Sequence, residues 1–242
     1  MPPLYGADLR LRRAGLQLRQ LKRQVARFQE AHIGYFGTVA GPDGVPLFGL
    51  TKMDQDRLAG LSIKAGEIVY NLRSALNYSV FELSRDRNTG KGQRWAQFPI
   101  ETREETWHTR VTGLGANSQR RPRQWWLKGV PKPAVDAIKA MQPPPVGGSE
   151  WTRDLQDLSN LDKHMHLLGL RSNVQVRITG QEVGVDPDTG QESTVLYFDA
   201  EVDDVAFPDG RILNDTLDRL YVAVADAVRL LKTYVEPAED EQ

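Results

Sequence analysis

The segment 55–85 constrains the fold more than any other part of the chain. Its apolar residues recur at spacings of three and four over about eight turns, the period of an α-helix with one buried face. Asp54 directly precedes the segment and is predicted to cap its first turn. The residues predicted to be buried are Leu58, Leu61, Ala65, Ile68, Leu72, Ala75, Leu76, Val80 and Leu83.

Four further segments are predicted to be helical: 7–32, 133–142, 150–170 and 214–235. The third of these begins after a Gly-rich loop, and the second ends before three consecutive prolines. Their apolar stripes predict the buried residues Leu11, Ala14, Leu18, Leu21, Val25 and Phe28 in the first, Leu155, Leu158, Leu161, Met165 and Leu168 in the third, and Leu217, Leu220, Val224, Val228 and Leu231 in the fourth.

Two regions favour β-structure. The segment 35–52 is predicted to be a hairpin, because aromatic and β-branched residues flank the turn signal Asp43-Gly44. In the region 172–208 the apolar period changes to two, which predicts an antiparallel meander. The predicted fold class is therefore α+β, mainly α: a helical bundle with a small N-terminal hairpin and a C-terminal antiparallel β meander.

The length of 242 residues is typical of one domain, so we expect a single domain over 1–242. Its helical core is predicted to comprise residues 7–170 together with 214–235, with a β insertion at 172–208. Residues 236–242 are predicted to form a frayed acidic tail.

Several classes of protein are excluded by composition. The chain has no cysteine, so disulfide frameworks, thiolate metal sites and cysteine nucleophiles are excluded. Metal-binding and phosphate-loop motifs are absent, and we expect neither a metal nor a cofactor. Because no long apolar run occurs, we expect no membrane association and a cytoplasmic location.

Charge is divided unevenly along the chain. Residues 181–242 contain 16 acids and 4 bases, a net charge of −12, whereas the first 180 residues contain 27 bases and 16 acids, a net charge of +11. Such an asymmetry favours a polyanion as the partner of the basic residues 1–180. Alternatively, both parts have solvated faces that neutralise each other in the fold.

Four short stretches occur in a recognisable order: LRSALNY (72–78), FPIE (98–101), AIKAMQPPP (137–145) and NLDKH (160–164). The series resembles a group of uncharacterised bacterial and phage proteins with an LRSALDH-type helix, an FPI segment, a Gln-Pro step and an N-x-D-K-H segment. The resemblance covers roughly residues 55–170. The RSALDH form is similar to the R-x4-H motif of HEPN domains, many of which are helical dimers and some of which are metal-independent ribonucleases.

The resemblance implies an RNA-directed site on the central helix. Arg73 matches the arginine that stabilises the phosphate, whereas Tyr78 stands where the family has histidine and Asn77 where it often has aspartate. A phenol keeps its proton at neutral pH and is a poor general base there. Another group would have to move the proton, or this chain does not cut RNA.

The segment around His164 offers a substitute for the missing histidine. His164 is a candidate acid/base, Lys163 a candidate charge stabiliser, and Asp162 and Asn160 candidates for positioning them together with Asn77 and Tyr78. Adjacent helical residues do not share a face, so these groups converge only if two helices meet. Alternatively, they form a buried polar network in which Arg73 pairs with Asp162, and Asn71 and Asn160 complete the hydrogen bonds.

A second candidate surface mixes cations with tryptophan. The stretch RRPRQWWLK has the residue types of single-strand binding surfaces, and the alternative is that its tryptophans pack in the core. The candidate nucleic-acid-binding residues are Arg120, Arg121, Arg123, Trp125 and Lys128.

Together these features predict a HEPN-like protein that binds or cleaves RNA without a metal, as a homodimer and in a setting of phage defence or stress. The alternative is a non-catalytic scaffold, a degenerate HEPN-like protein that binds a partner protein or a nucleotide. Tyr78 in place of histidine and the acidic C-terminal part favour this alternative.

Overall fold

The computed structural model of the chain describes residues 4–31, 36–40, 46–50, 54–85, 95–108, 111–112, 119–120, 126–163, 168–185, 190 and 192–235. For the two short strand pairs, for residues 108 and 161–163, and for most of the long strand pair after residue 171, only the backbone is described.

Helices dominate the described part of the chain. The six helices described are α1 (Tyr5–Ala31), α2 (Gln55–Leu83), α3 (Glu104–His108), α4 (Lys132–Ala140), α5 (Glu150–Lys163) and α6 (Leu213–Lys232). Three antiparallel strand pairs accompany them: β1 (Phe36–Ala40) with β2 (Pro46–Leu50), β3 (Val111–Thr112) with β4 (Gln119–Arg120), and β5 (Arg171–Val185) with β6 (Glu192–Ala206). The prediction of a mainly helical α+β chain is confirmed.

The apolar periods of α2 and α6 predicted their buried faces correctly. All nine residues predicted to be buried in the central helix are buried, and so are all five in α6. Asp54 caps α2 as predicted, because its Oδ1 accepts the backbone N–H of Arg57 at 3.0 Å. In α1 the predicted stripe is buried from Ala14 to Phe28, whereas Leu11 is half-buried.

The antiparallel C-terminal β region is confirmed, whereas the predicted end of α5 is wrong. The β region is one pair of 15-residue strands, β5 and β6. The register shifts by one residue between Ile178 and Gly180, a β-bulge that lets the strand continue. Helix α5 is described as far as Lys163, and residues 168–170 are not helical, whereas the apolar period predicted a helix to residue 170.

Other predictions fall partly on residues outside the description. The hairpin pairing of β1 with β2 is confirmed, with Phe36 opposite Leu50, but the turn at Asp43-Gly44 lies outside the described residues. The acidic tail at 236–242 also lies outside them. Helix α3 and the β3–β4 pair lie in the stretch 102–132, for which the sequence predicted no element.

The chain divides into two compact units, each assembled from separate stretches of sequence. The first unit consists of Met1–Arg19, Lys64–Leu168 and Asp215–Gln242, and the second of Gln20–Ile63 and Gly169–Asn214. The expectation of a single domain with a β insertion stays a prediction.

In the first unit, the start of α1 packs between α2 and α6. Gly6 lies against the ring of Tyr78 on α2, and Gly15 lies against Tyr221 on α6. The Lys232 ammonium at the end of α6 donates to both carboxylate oxygens of Asp8 at 2.6 Å. Within the first unit, both helices therefore run antiparallel to the start of α1.

In the second unit, the β5–β6 pair leads into a tight turn at residues 207–211. Gly210 adopts a φ of 92°, a left-handed conformation that favours glycine. The Arg211 side chain and backbone N–H both donate to the Asp209 carboxylate. The side-chain hydrogen bond is the main reason why the pKa of Asp209 is below its ordinary value.

Candidate functional site

The arginine of the R-x4-H-like motif binds a backbone carbonyl. Arg73 Nη2 donates to the carbonyl oxygen of Phe98 at 2.8 Å, and Asn77 Oδ1 accepts the backbone N–H of the same residue at 3.0 Å. Arg73 and Asn77 lie four residues apart on α2, which places them on one face of the helix. Both polar groups of the Phe98 backbone are thus satisfied by side chains while its ring is fully buried.

A buried glutamine, Gln142, binds the other end of the extended segment that contains Phe98. Gln142 is fully buried, its Oε1 accepts the backbone N–H of Glu101 at 2.9 Å, and its Nε2 donates to the carbonyl of Ile138. The Glu101 carboxylate accepts the backbone N–H groups of Thr102 and Arg103, directly before α3 begins. Three of the four stretches that carry the family resemblance therefore meet at residues 98–101.

This arrangement explains why these residue types occur in these stretches. The extended segment 96–100 has no described strand partner, so its buried backbone groups need side chains as hydrogen-bond partners. Arg73, Asn77 and Gln142 supply them from two different helices. The cluster anchors an extended peptide segment. This structural role explains the hydrogen bonds of Arg73 and Asn77 without a substrate.

Tyr78 has different neighbours from Arg73. Five residues along an α-helix correspond to a rotation of about 140°. The Tyr78 ring lies against Gly6 of α1, and its side chain is 41% exposed. The Arg10 guanidinium lies 5.7 Å from the centroid of this ring. Position 78 therefore faces the α1 side of the central helix and is accessible to solvent.

A second aromatic ring completes a cluster at this surface. Tyr70 is 56% exposed, and the guanidinium of Arg10 lies 5.7 Å from its ring centroid, the same distance as for Tyr78. Both distances are within the range of cation–π attraction. We call the surface formed by Arg10, Arg13, Gln17, Glu67, Tyr70, Asn71 and Tyr78 the α1–α2 seam.

Buried amides position the cation of the seam. Asn71 Oδ1 accepts a hydrogen bond from Arg10 Nη1 at 3.1 Å, and Asn71 Nδ2 donates to Gln17 Oε1 at 2.8 Å and to the carbonyl of Glu67. Gln17 Nε2 in turn donates to the Glu67 carboxylate at 2.6 Å. Because Gln17 and Asn71 are both buried, this chain of hydrogen bonds holds the guanidinium close to both rings.

Sequence reasoning placed Asn71 in a polar network but assigned it different partners. It expected Asn71 and Asn160 to join Arg73 and Asp162, whereas Asn71 binds Arg10 and Gln17 of α1, and Asn160 Oδ1 accepts from Gln156 of its own helix at 3.0 Å. The side chains of Asp162 and Lys163 lie outside the described residues, as does all of His164. The proposed meeting of these groups with Arg73 stays a prediction.

The residues of the seam that the sequence did not single out as candidates are Arg10, Arg13, Gln17, Glu67 and Tyr70. A signal for Tyr70 exists, because Glu67, Tyr70, Ser74 and Tyr78 follow one another at spacings of three and four opposite the apolar stripe of α2. No comparable pattern points to Gln17, whose role depends on where α1 crosses α2.

The candidate surface around the two tryptophans is described only at its end. Lys128 is exposed in the turn after Leu127, and Arg120 is described by its backbone within β4. Arg121, Arg123 and Trp125 lie outside the described residues. The assignment of these residues to nucleic-acid binding stays a prediction.

Metal-binding and membrane-spanning features are absent from the described part of the chain. Over those residues, no three His, Asp or Glu side chains come close enough together to hold a metal ion. None of the described helices combines the length and the apolar character needed to cross a membrane. No protein-family model, curated protein sequence or solved structure matches this chain.

Proposed function

We propose that this chain is an RNA-binding protein with a HEPN-like helical core that does not cleave RNA. The observation that carries this proposal is the use of Arg73 and Asn77 to bind the backbone of Phe98. A phosphate clamp needs its guanidinium directed at the substrate, and the position of the proton-transferring histidine is held by a phenol, Tyr78. The residues of the motif thus argue against catalysis.

The charge of α1 supports RNA as the partner. This helix contains seven bases and two acids, and Arg12, Arg13 and Arg19 are exposed in the first unit. Clustered cations on one helix attract a phosphate backbone. A setting in phage defence or stress rests on the family resemblance alone and stays a prediction.

A second candidate function is that of a scaffold for a partner protein, including a second copy of this chain. It is favoured by exposed apolar side chains on the outer face of α1: Tyr5, Leu9 and Leu16 are 38%, 45% and 50% exposed. Their spacings of four and seven residues align them along the helix. Exposed apolar stripes of this kind are typical of interaction surfaces.

The test combines a cleavage assay with a binding assay. Purified protein is incubated with total RNA and tRNA, and its binding to a fluorescein-labelled single strand is measured by anisotropy at about 50 and about 200 mM salt. We expect intact RNA, and binding that weakens about tenfold or more between the two salt concentrations, since cations that bind phosphate release counterions.

Either of two results would overturn the proposal. Cleavage that is lost in both Arg73→Lys and His164→Ala, with unchanged circular dichroism, would establish a ribonuclease. No binding to any RNA at low salt would favour the scaffold function, and sedimentation analysis at several protein concentrations would then test for a second copy as the partner.

A further inference from the structure

We infer that the α1–α2 seam binds unpaired bases of single-stranded RNA, which stack on Tyr70 and Tyr78 beside the fixed guanidinium of Arg10. The inference rests on the proposed function and names the site and the form of RNA. It assigns recognition to a surface that shares Tyr78, but not Arg73 or Asn77, with the R-x4-H-like motif.

The two tyrosine rings are the main argument. They are 56% and 41% exposed on a helix whose opposite face is fully buried, so each presents aromatic surface to solvent. Tyr70, Ser74 and Tyr78 follow at intervals of four residues, so the two tyrosines project from one side of α2, with a rise of about 12 Å between their backbone positions. Aromatic rings in a row are the surfaces on which successive bases stack, whatever their sequence.

Arg10 supplies a cation whose position is set before any ligand binds. Its Nη1 donates to the buried Asn71, and the guanidinium lies at the same distance from both rings. A guanidinium has five N–H donors in a planar fork, and that fork matches the geometry of a phosphate. Because Asn71 and Gln17 already restrict this side chain, little conformational entropy is lost when it binds.

The charge around the rings favours a polyanion. Arg13 is exposed and lies one turn after Arg10, hence on the same side of α1. The carboxylate of the seam, Glu67, lies one turn before Tyr70 and three turns before Tyr78 on α2, and it is bound by Gln17. Two cations therefore accompany the two rings, and phosphates can follow the α1 side while bases stack on α2.

The experiment measures binding by anisotropy for four labelled ligands: a 12-nucleotide single strand, its duplex, an abasic strand of the same length, and polyglutamate. We expect the single strand to bind at least tenfold more tightly than the abasic strand. Replacing Tyr70→Leu or Tyr78→Leu should weaken single-strand binding by about 5- to 100-fold each, since base stacking contributes about 1–3 kcal/mol per base. Tyr70→Phe and Tyr78→Phe keep the ring and should bind within about threefold of the wild type.

Two control variants replace exposed residues that lie outside the α1–α2 seam. Trp95→Leu removes an exposed aromatic ring, and Arg229→Ala removes an exposed cation on α6; we expect neither to change single-strand affinity by more than about twofold. A strand with 2-aminopurine gives a second readout, because stacking on a tyrosine ring quenches its fluorescence. This quenching should disappear in the two leucine variants.

The outcomes separate this inference from the proposed function. If the wild type binds RNA but the leucine variants bind equally well, or if the abasic strand binds as tightly, the stacking site is refuted while RNA binding stands. If polyglutamate competes as well as RNA, the seam recognises charge alone, which also refutes stacking. If the wild type binds none of the four ligands, the proposed function itself fails.

Discussion

The carboxamide oxygen of Asn77 accepts a hydrogen bond at 3.0 Å from the backbone N–H of Phe98, a residue 21 positions further along the chain. One turn earlier on α2, Arg73 donates to the carbonyl of the same residue. The two side chains thereby replace the partners that a neighbouring strand would supply to an extended segment. A pair that a sequence motif suggests for catalysis has a structural use in this protein, and its contribution to stability can be measured directly.

We predict that Asn77→Ala lowers the free energy of unfolding by about 1–3 kcal/mol, because it leaves the buried N–H of Phe98 without its acceptor. Asn77→Asp keeps an acceptor oxygen in place and should therefore retain most of the stability that Asn77→Ala loses. The measurement is urea unfolding followed by circular dichroism. Equal stability of all three proteins would show that the hydrogen bond contributes nothing to folding.

A second prediction concerns the connection between α4 and α5. A Cβ at Gly147 would lie 2.4, 2.6 and 2.8 Å from the carbonyl oxygens of Lys139, Gln142 and Ala140, whereas a Cβ at Gly148 would meet nothing within 4 Å. Gly147→Ala should therefore destabilise the protein by about 1–3 kcal/mol through overpacking.

Gly148→Ala is the matched control in the next position, and we expect it to change stability by less than about 0.5 kcal/mol. The measurement is the melting temperature of the two variants and of the wild type in thermal unfolding. If both lower the melting temperature equally, the close approach of Gly147 to these carbonyls is not what requires glycine.

A third prediction tests the packing of α1 on α2. In an exposed helical position, Gly60→Ala should stabilise the protein by about 0.5–1 kcal/mol, since a Cβ there would meet nothing within 4 Å. At Gly6 the same substitution would place a Cβ 2.8 Å from the Tyr78 ring. Gly6→Ala should therefore show a smaller gain or a loss in urea unfolding, and a gain equal to that of Gly60→Ala would contradict the contact.

The fourth prediction concerns pH. The hydrogen bond from Arg211 lowers the pKa of Asp209, so the folded state favours the carboxylate. The resulting stability is present above the ordinary pKa of an aspartate and is lost as the pH falls through the lowered value. Because Asp209 is half-exposed, the contribution is small.

The corresponding variant is Arg211→Ala, in which the pKa of Asp209 should rise towards its ordinary value. An NMR titration of the aspartate side chains measures this shift. Arg229→Ala, which breaks the Arg229–Asp226 pair on α6, should leave the Asp209 titration unchanged. An Asp209 titration that is identical in wild type and Arg211→Ala would refute Arg211 as the cause of the lowered pKa.

Parts of the fold could be predicted because their signals are local. The apolar stripes of α2 and α6 identify a helix and its buried face within the helix itself, and Asp54 caps the turn that follows it. The predicted extension of α5 to residue 170 was wrong for the opposite reason. Leu168 is buried as its apolar period predicted, yet it lies outside a helix, because the burial of one residue does not specify the backbone conformation around it.

The fold class, the main helices and the faces they bury could be predicted from periodic patterns, since such a pattern specifies these within a few turns of chain. The partners of the polar residues became known only from the packing of the helices. Arg73 and Tyr78 are five positions apart, yet one binds Phe98 and the other lies against Gly6 of α1. Which polar groups meet depends on how helices distant in sequence pack together, and no spacing along α2 encodes the approach of Arg10 to two tyrosine rings.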